Sequence, residues 1–287
     1  MSRKFPILLY HRVGPRDGSY MDAYTVSPEA FRAQMEQLHR ERWHPISIAS
    51  ALAGGDLPRR AVAITFDDGF ASNREHAWPV LERFGFPADT FIVTGRLAQS
   101  NLWDRAEDAI WPLLSEEELA SADNELMTFH SHTATHTQLT SIINDERALR
   151  KELDRSANDL SDTIPNWGSG FAYPFGTWNW RIRDKIQSFG YSWACSCLEG
   201  LNSARTNPFL LRRVSIDEAD VGIRLRLKLI TGRTLLKWPP ERPAEISLAK
   251  AWLSKELAKH AIGIGRSRTR NGTADGVGRD LDSQPTG

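Results

Sequence analysis

The sequence predicts an α/β protein built of βα units around a parallel sheet or barrel. Apolar runs of strand length alternate with amphipathic helical patterns along most of the 287 residues. Several of these runs are almost continuously apolar, as expected of strands covered on both sides. About seven such repeats follow one another without a linker, which argues for one domain rather than two. With 40% hydrophobic residues, the chain can fill a core of that size.

The elements follow in order. FPILLYHRV (5–13) reads as a first strand. Ser27 and Pro28 supply a helix N-cap and a first-turn proline, and Phe31, Met35 and Leu38 then share one helical face. RAVAITFD (60–67) is the next strand, and a helix ended by Gly85 leads into ADTFIVT (88–94). LMTFHSH (126–132) is strand-like, 144–161 is a charged amphipathic helix, and GFAYPFG (170–176) is a strand entering a turn. A helix over 178–189, GYSWACS (190–196) and LLRRVSID (210–217) complete the series. The domain is expected over 1–240, a helical extension over 241–262, and a disordered tail over 263–287, where Gly, Ser, Thr, Arg and Asp replace apolar residues.

Lys plus Arg and Asp plus Glu both number 36, so no net charge draws the chain to nucleic acid. The apolar part of MSRKFPILLYHRVGP is too short for a leader or a membrane span, and the expected location is the cytoplasm. VGIRLRLKLITGRTLLKW (221–238) mixes basic and apolar residues. It reads chiefly as the solvated face of a packed element, with peripheral membrane contact as the other reading. Cys195 and Cys197, the only cysteines, stand two apart on a strand and cannot readily bridge, so both are expected to be small core residues in a reducing compartment.

Polar residues punctuate the C-terminal ends of the strands, where parallel α/β folds build their sites: Asp67 and Asp68 in TFDDGF, His132 and His136 in HSHTATH, and the turn Tyr173-Pro174-Phe175-Gly176. Two imidazoles and a carboxylate suit Zn²⁺ with positions left for water and substrate. Four residues apart, His132 and His136 can face one ion if the chain turns helical after the strand, with His130 a competing ligand. A cation bound to one aspartate also removes the like-charge penalty of the Asp67-Asp68 pair and leaves the second acid free to take a proton. Without an ion, Asp-Asp-Gly reads as a strand-ending turn with a helix cap, and the histidines as satisfied core residues.

TFDDGF, HSHTATH and AYPFG, in this order over roughly residues 5–217, resemble the polysaccharide deacetylase family, the NodB-homology domain of family 4 carbohydrate esterases. The resemblance implies a deformed (β/α)7-type barrel and metal-dependent hydrolysis of an N-acetyl group on an amino sugar in a glycan or its precursor. Position by position, it implies Asp67 as the base, Asp68, His132 and His136 as ligands of Zn²⁺ or a similar ion, and Tyr173, Pro174 and Phe175 as the substrate-groove turn whose Phe175 N–H meets the oxyanion. Two departures stand out. Ala172 occupies a position where the family often has an arginine, leaving Arg12 or Arg213 to orient the base. LLRRVSID lacks the histidine of the family's last-strand Leu-x-His, but Leu9-Tyr10-His11 offers one on the first strand, as in exopolysaccharide-type members that resemble a permuted arrangement. In a closed barrel the first and last strands are neighbours, so His11 is the expected acid for the leaving amine.

Trp103, Trp178 and Trp180 are candidates for stacking on sugar rings, while the histidines at 39, 44, 76 and 260 read as surface residues. Three alternatives stay open on sequence: O-deacetylation, deformylation of a lipid-linked amino sugar, and a glycan-binding module without catalysis.

Overall fold

In the computed structural model, the described residues are 3–104, 110–123, 125–158, 161 and 164–235. All of them belong to a compact unit, Met1–Trp238. The expected helical extension at 241–262 and the tail at 263–287 lie outside the described residues.

Seven parallel strands form the centre: β1 (Ile7–Tyr10), β2 (Ala61–Phe66), β3 (Ala88–Ile92), β4 (Met127–Ser131), β5 (Trp167–Ala172), β6 (Trp193–Cys195) and β7 (Val214–Ser215). Their spatial order is β7-β1-β2-β3-β4-β5-β6. One short segment joins the two edges, because Val214 and Ser215 pair with Leu8 and Leu9 while Leu211 bridges to Cys195. The sheet is thereby drawn into a deformed (β/α) barrel, and the first and last strands are neighbours as expected.

Alternation along each strand sorts the side chains into two cores. Leu8, Tyr10, Val62, Ile64, Phe66, Ala88, Ile92, Met127 and Phe129 belong to an outer cluster shared with the helices, and Phe171 and Ala194 to a second one. Ile7, Ala61, Ala63, Phe91, Ala172, Trp193, Cys195 and Leu211 fill the barrel interior. This parity positions the site. Continued to the strand ends, the inward series 7-9-11, 61-63-65-67, 130-132 and 211-213 delivers His11, Asp67, His132 and Arg213 to one mouth.

The helices are α1 (Pro28–Arg40), α2 (Ile48–Leu52), α3 (Ser72–His76), α4 (Trp78–Phe84), α5 (Glu116–Ala120), α6 (Glu146–Asn158), α7 (Trp180–Ser188) and α8 (Ile223–Thr231). Ser27 caps α1 by accepting from the Ala30 N–H at 3.2 Å, and Phe31, Met35 and Leu38 are buried beneath it. Before Gly85 the structure has two helices, not one. They meet at Ala77, and Pro79 lies in the first turn of α4, where its missing N–H costs nothing. The predicted first strand likewise breaks at His11, after which Arg12 and Val13 pair with Thr25 and Val26 instead. No helix among the described residues is long and apolar enough to cross a membrane.

A candidate metal centre and its base

Asp68 lies on the outward parity of its strand and reaches the mouth only because its backbone is left-handed, at φ 72°. The two histidines come together by the same device rather than by the expected helical turn. After β4, Thr133 at φ 65° and His136 at φ 60° fold the HSHTATH loop back on itself. Phe175, at φ 57°, is a fourth non-glycine residue in this region beside the site. Left-handed backbone is unfavourable for residues with a Cβ and persists where surrounding contacts over-determine it. Close approach supports the loop too: Gly95 donates to the Ala134 carbonyl at 2.8 Å, and a Cβ on Gly95 would stand 2.5 Å from that oxygen.

The result is a buried trio. His136 Nε2 stands 3.3 Å and His132 Nε2 3.5 Å from Asp68 Oδ1, and ligand atoms of the three residues lie within 4.8 Å of one another. Ligands bonded at about 2.0–2.2 Å around a tetrahedral Zn²⁺ are separated by roughly 3.3–3.5 Å, so the two separations from Asp68 fit such an ion. His132 Nδ1–H donates to the Ala172 carbonyl at 2.9 Å, which fixes the tautomer and leaves Nε2 bare. Among the described residues His136 Nδ1 is buried without a hydrogen-bond partner, and its ring sits between those of Trp103 and Phe175 at 4.6 and 4.5 Å. Burial lowers the pKa of both histidines, that of His136 well below the usual value, with neighbouring His132 adding to the effect there. They are therefore neutral, the form that binds metal.

Asp67 is held elsewhere. Arg213 donates to both of its carboxylate oxygens, at 2.6 and 2.8 Å, and to the Ser196 carbonyl at 3.1 Å. Burial alone would raise the Asp67 pKa, but the charge of Arg213, helped by His132 and His11, outweighs it and lowers the value. Of the two arginines proposed to replace the one missing at Ala172, Arg213 is thus the partner. Arg12 lies over the Trp111 ring, 3.7 Å from its centroid, and donates to the Pro15 carbonyl.

His11 occupies the break after β1, with its ring 5.3 Å from that of Tyr24. Burial pushes its pKa down to about 4, Asp67 opposes this, and Arg213 and His132 reinforce it. In the turn after β5, the Tyr173 hydroxyl donates to the Phe209 carbonyl at 3.0 Å inside the core, and Pro174 is buried. Phe175 is exposed, and its N–H has no acceptor among the described residues. His130 is not a member of the trio. It lies deeper in the barrel, where its Nδ1 accepts from the Gly170 N–H at 3.1 Å and its Nε2 meets Asp89 at 2.9 Å.

Trp103 lines the site, Trp180 is exposed, and Trp178 packs against the outer core. Cys195 is buried as expected, whereas Cys197 is exposed, two residues past the strand end beside Gly176. Two positioning residues carry no obvious sequence signal. Asn73 donates to the His11 carbonyl at 2.8 Å and accepts from the Val13 N–H at 2.7 Å, while Glu152 of α6 receives the Thr135 N–H and hydroxyl.

The model of the family described as polysaccharide deacetylase matches residues 54–194. Over that stretch, just under half of its length, the chain resembles the polysaccharide deacetylase family. The match contains Asp67, Asp68, His132, His136 and the Tyr173–Gly176 turn; His11 and Arg213 lie outside it, one on either side, and only the closed sheet brings them in. Among similar proteins is the poly-beta-1,6-N-acetyl-D-glucosamine N-deacetylase of Staphylococcus aureus, 25% identical over 205 residues that cover 68% of this chain and 69% of the relative. The barrel is shared with Streptococcus pyogenes deacetylase PplD in complex with acetate, at TM-score 0.67 and 22% identity over 80% of this chain and 99% of that one. It is shared equally with IcaB from Ammonifex degensii, at TM-score 0.65 and 23% identity over 76% and 93% of the two chains.

Proposed function

We propose that this protein hydrolyses the N-acetyl group of an amino sugar within a glycan, using one divalent transition ion such as Zn²⁺. The observation that carries the reading is the division of the two acids: Asp68 faces His132 and His136, while Asp67 is turned to Arg213. Asp68, His132 and His136 would hold the ion, which when bound supplies positive charge to acidify water and polarise the acyl oxygen.

The remaining work falls to the chain's own side chains. Asp67, kept ionised by Arg213, takes a proton from water as its oxygen attacks the acetyl carbon. The Phe175 N–H, without an acceptor among the described residues, faces the negative charge that develops on the acyl oxygen. The C–N bond then breaks, its electron pair stays on nitrogen, and His11 delivers the proton that makes the amine a leaving group. Since burial keeps His11 neutral at rest, it takes that proton from solvent as the new negative charge offsets the burial, and Asp67 returns its own proton to solvent when acetate leaves. Trp103, Phe175 and Tyr24 offer flat apolar faces around the mouth, suited to pyranose rings. The N-acetylglucosamine polymer named for the Staphylococcus aureus relative makes an N-acetylated glucosamine chain the first substrate to try.

The test combines metal analysis with acetate release from N-acetylglucosamine oligomers, before and after chelation. Wild-type protein should carry one ion per chain and lose turnover with it. Asp67→Asn should keep the ion and lose turnover by about 10²–10⁴-fold. Full activity in Asp67→Asn would overturn the assignment of the base.

A further inference from the structure

We infer that Glu152 is the residue that sets the position of His136, and with it the metal affinity of the centre, from outside the ligand set. The inference rests on the metal reading above. Glu152 lies in α6 with 6% of its surface exposed. Its Oε2 accepts the Thr135 N–H at 2.9 Å; its Oε1 accepts the Thr135 hydroxyl at 2.7 Å and the Thr137 hydroxyl at 3.4 Å. Its backbone carbonyl accepts the Ala134 N–H at 3.1 Å. One residue therefore grips the loop at 134, 135 and 137, on both sides of His136.

No cationic side chain among the described residues forms an ion pair with Glu152. A carboxylate buried without a cation is costly and is kept only if its hydrogen bonds offset the lost water. Here those bonds all end on the segment that must hold Thr133 and His136 in left-handed backbone. Below the loop a second tie to the same helix runs through Ser131, Ser156 and the Tyr191 hydroxyl, so the base of the loop stays anchored if Glu152 is changed. Loss of the carboxylate should then relax the loop tip and displace His136 from Asp68, without unfolding the barrel.

Glu152→Gln retains size but replaces one acceptor oxygen with an N–H₂ group facing donors, and Thr135→Val removes only the hydroxyl contact. The experiment is competition of the purified full chain with a chromophoric chelator for Zn²⁺, alongside thermal unfolding of the metal-free form. Glu152→Gln should weaken Zn²⁺ binding by about 10–100-fold, the usual range for outer partners of metal ligands, and Thr135→Val by less. The metal-free melting temperature should stay close to wild type, and at saturating Zn²⁺ the KM for acetylated oligomers should be unchanged. Unaltered Zn²⁺ affinity in both variants overturns the inference, as does a lower metal-free melting temperature without weaker Zn²⁺ binding. Should Glu152→Gln fail to fold, Thr135→Val decides by itself. Failure of the wild-type chain to bind Zn²⁺ overturns the metal reading instead, and is distinct from either result.

Discussion

Arg213 and Asp67, 146 residues apart in sequence, form a two-pronged ion pair at the floor of the site, both side chains almost wholly buried. An acid acting as base works deprotonated. In the proposed role, Asp67 with its lowered pKa should remain competent as pH falls below the ordinary carboxylate range, and activity should be lost only as pH passes through the lowered value. Arg213→Gln removes the compensating charge and leaves the burial, so the Asp67 pKa should rise. The acid limb of kcat/KM against pH should move to higher pH in Arg213→Gln and by less in Arg213→Lys, which keeps charge but not the fork. A limb unmoved in both would show that Asp67 is not the titrating base.

Retention of the ion should have its own pH dependence. A ligand imidazole must be neutral, and burial lowers the pKa of both His132 and His136. They therefore remain neutral as pH drops below the usual histidine value of about 6.5. Metal content, measured after dialysis at a series of pH values, should hold through that region and fall only at more acidic pH. Asp68→Ala should lose the ion at every pH, whereas loss centred on the usual histidine value would count against both imidazoles as ligands.

How much of this was legible follows from the range of each interaction. The strand-end acids, the two histidines and the turn are local in sequence, and the alternation of apolar runs already placed them at one end of a parallel sheet. Arg213 was one of two candidates because its partner lies across the barrel closure, and only pairing of β7 with β1 and of Leu211 with Cys195 distinguishes it from Arg12. The helical turn that the i, i+4 spacing of His132 and His136 suggests as a route to one ion is replaced by two left-handed residues, which without glycine leave no sequence signal. Glu152 was hidden among the charges of an amphipathic helix, since nothing in its local pattern says that it points inward. The pairing of Asp67 with Arg213 relieves its like-charge contact with Asp68 on one side, a source separate from the cation expected from the sequence.

His11 should show a kinetic signature separate from that of Asp67. Its ring is placed by the strand break and by Asn73, which holds the His11 carbonyl. His11→Gln should lower kcat for amide hydrolysis by about 10²–10⁴-fold with little change in KM or in metal content. An ester analogue with a good leaving group needs no proton on departure and should be much less affected. Equal losses on amide and ester would assign His11 to positioning rather than to proton delivery.

The barrel interior beneath the site imposes a steric demand that can be tested without any substrate. Gly170 faces inward on β5, paired in register with Trp193, and a Cβ built there would lie 2.3 Å from the indole. Its N–H also donates to His130, so the strand cannot simply withdraw. Gly170→Ala should destabilise the protein by about 1–3 kcal/mol through overpacking. For a domain of this size that corresponds to roughly 2–4 °C in Tm per kcal/mol. Trimming the opposite wall should relieve the clash: in a double-mutant cycle, Gly170→Ala should cost less beside Trp193→Leu than beside Trp193, because the cavity left by the indole accepts the methyl group. Additive losses in that cycle would mean that the methyl group is accommodated by backbone movement instead, and that the Gly170–Trp193 contact does not set the width of the barrel below the Asp68–His132–His136 trio.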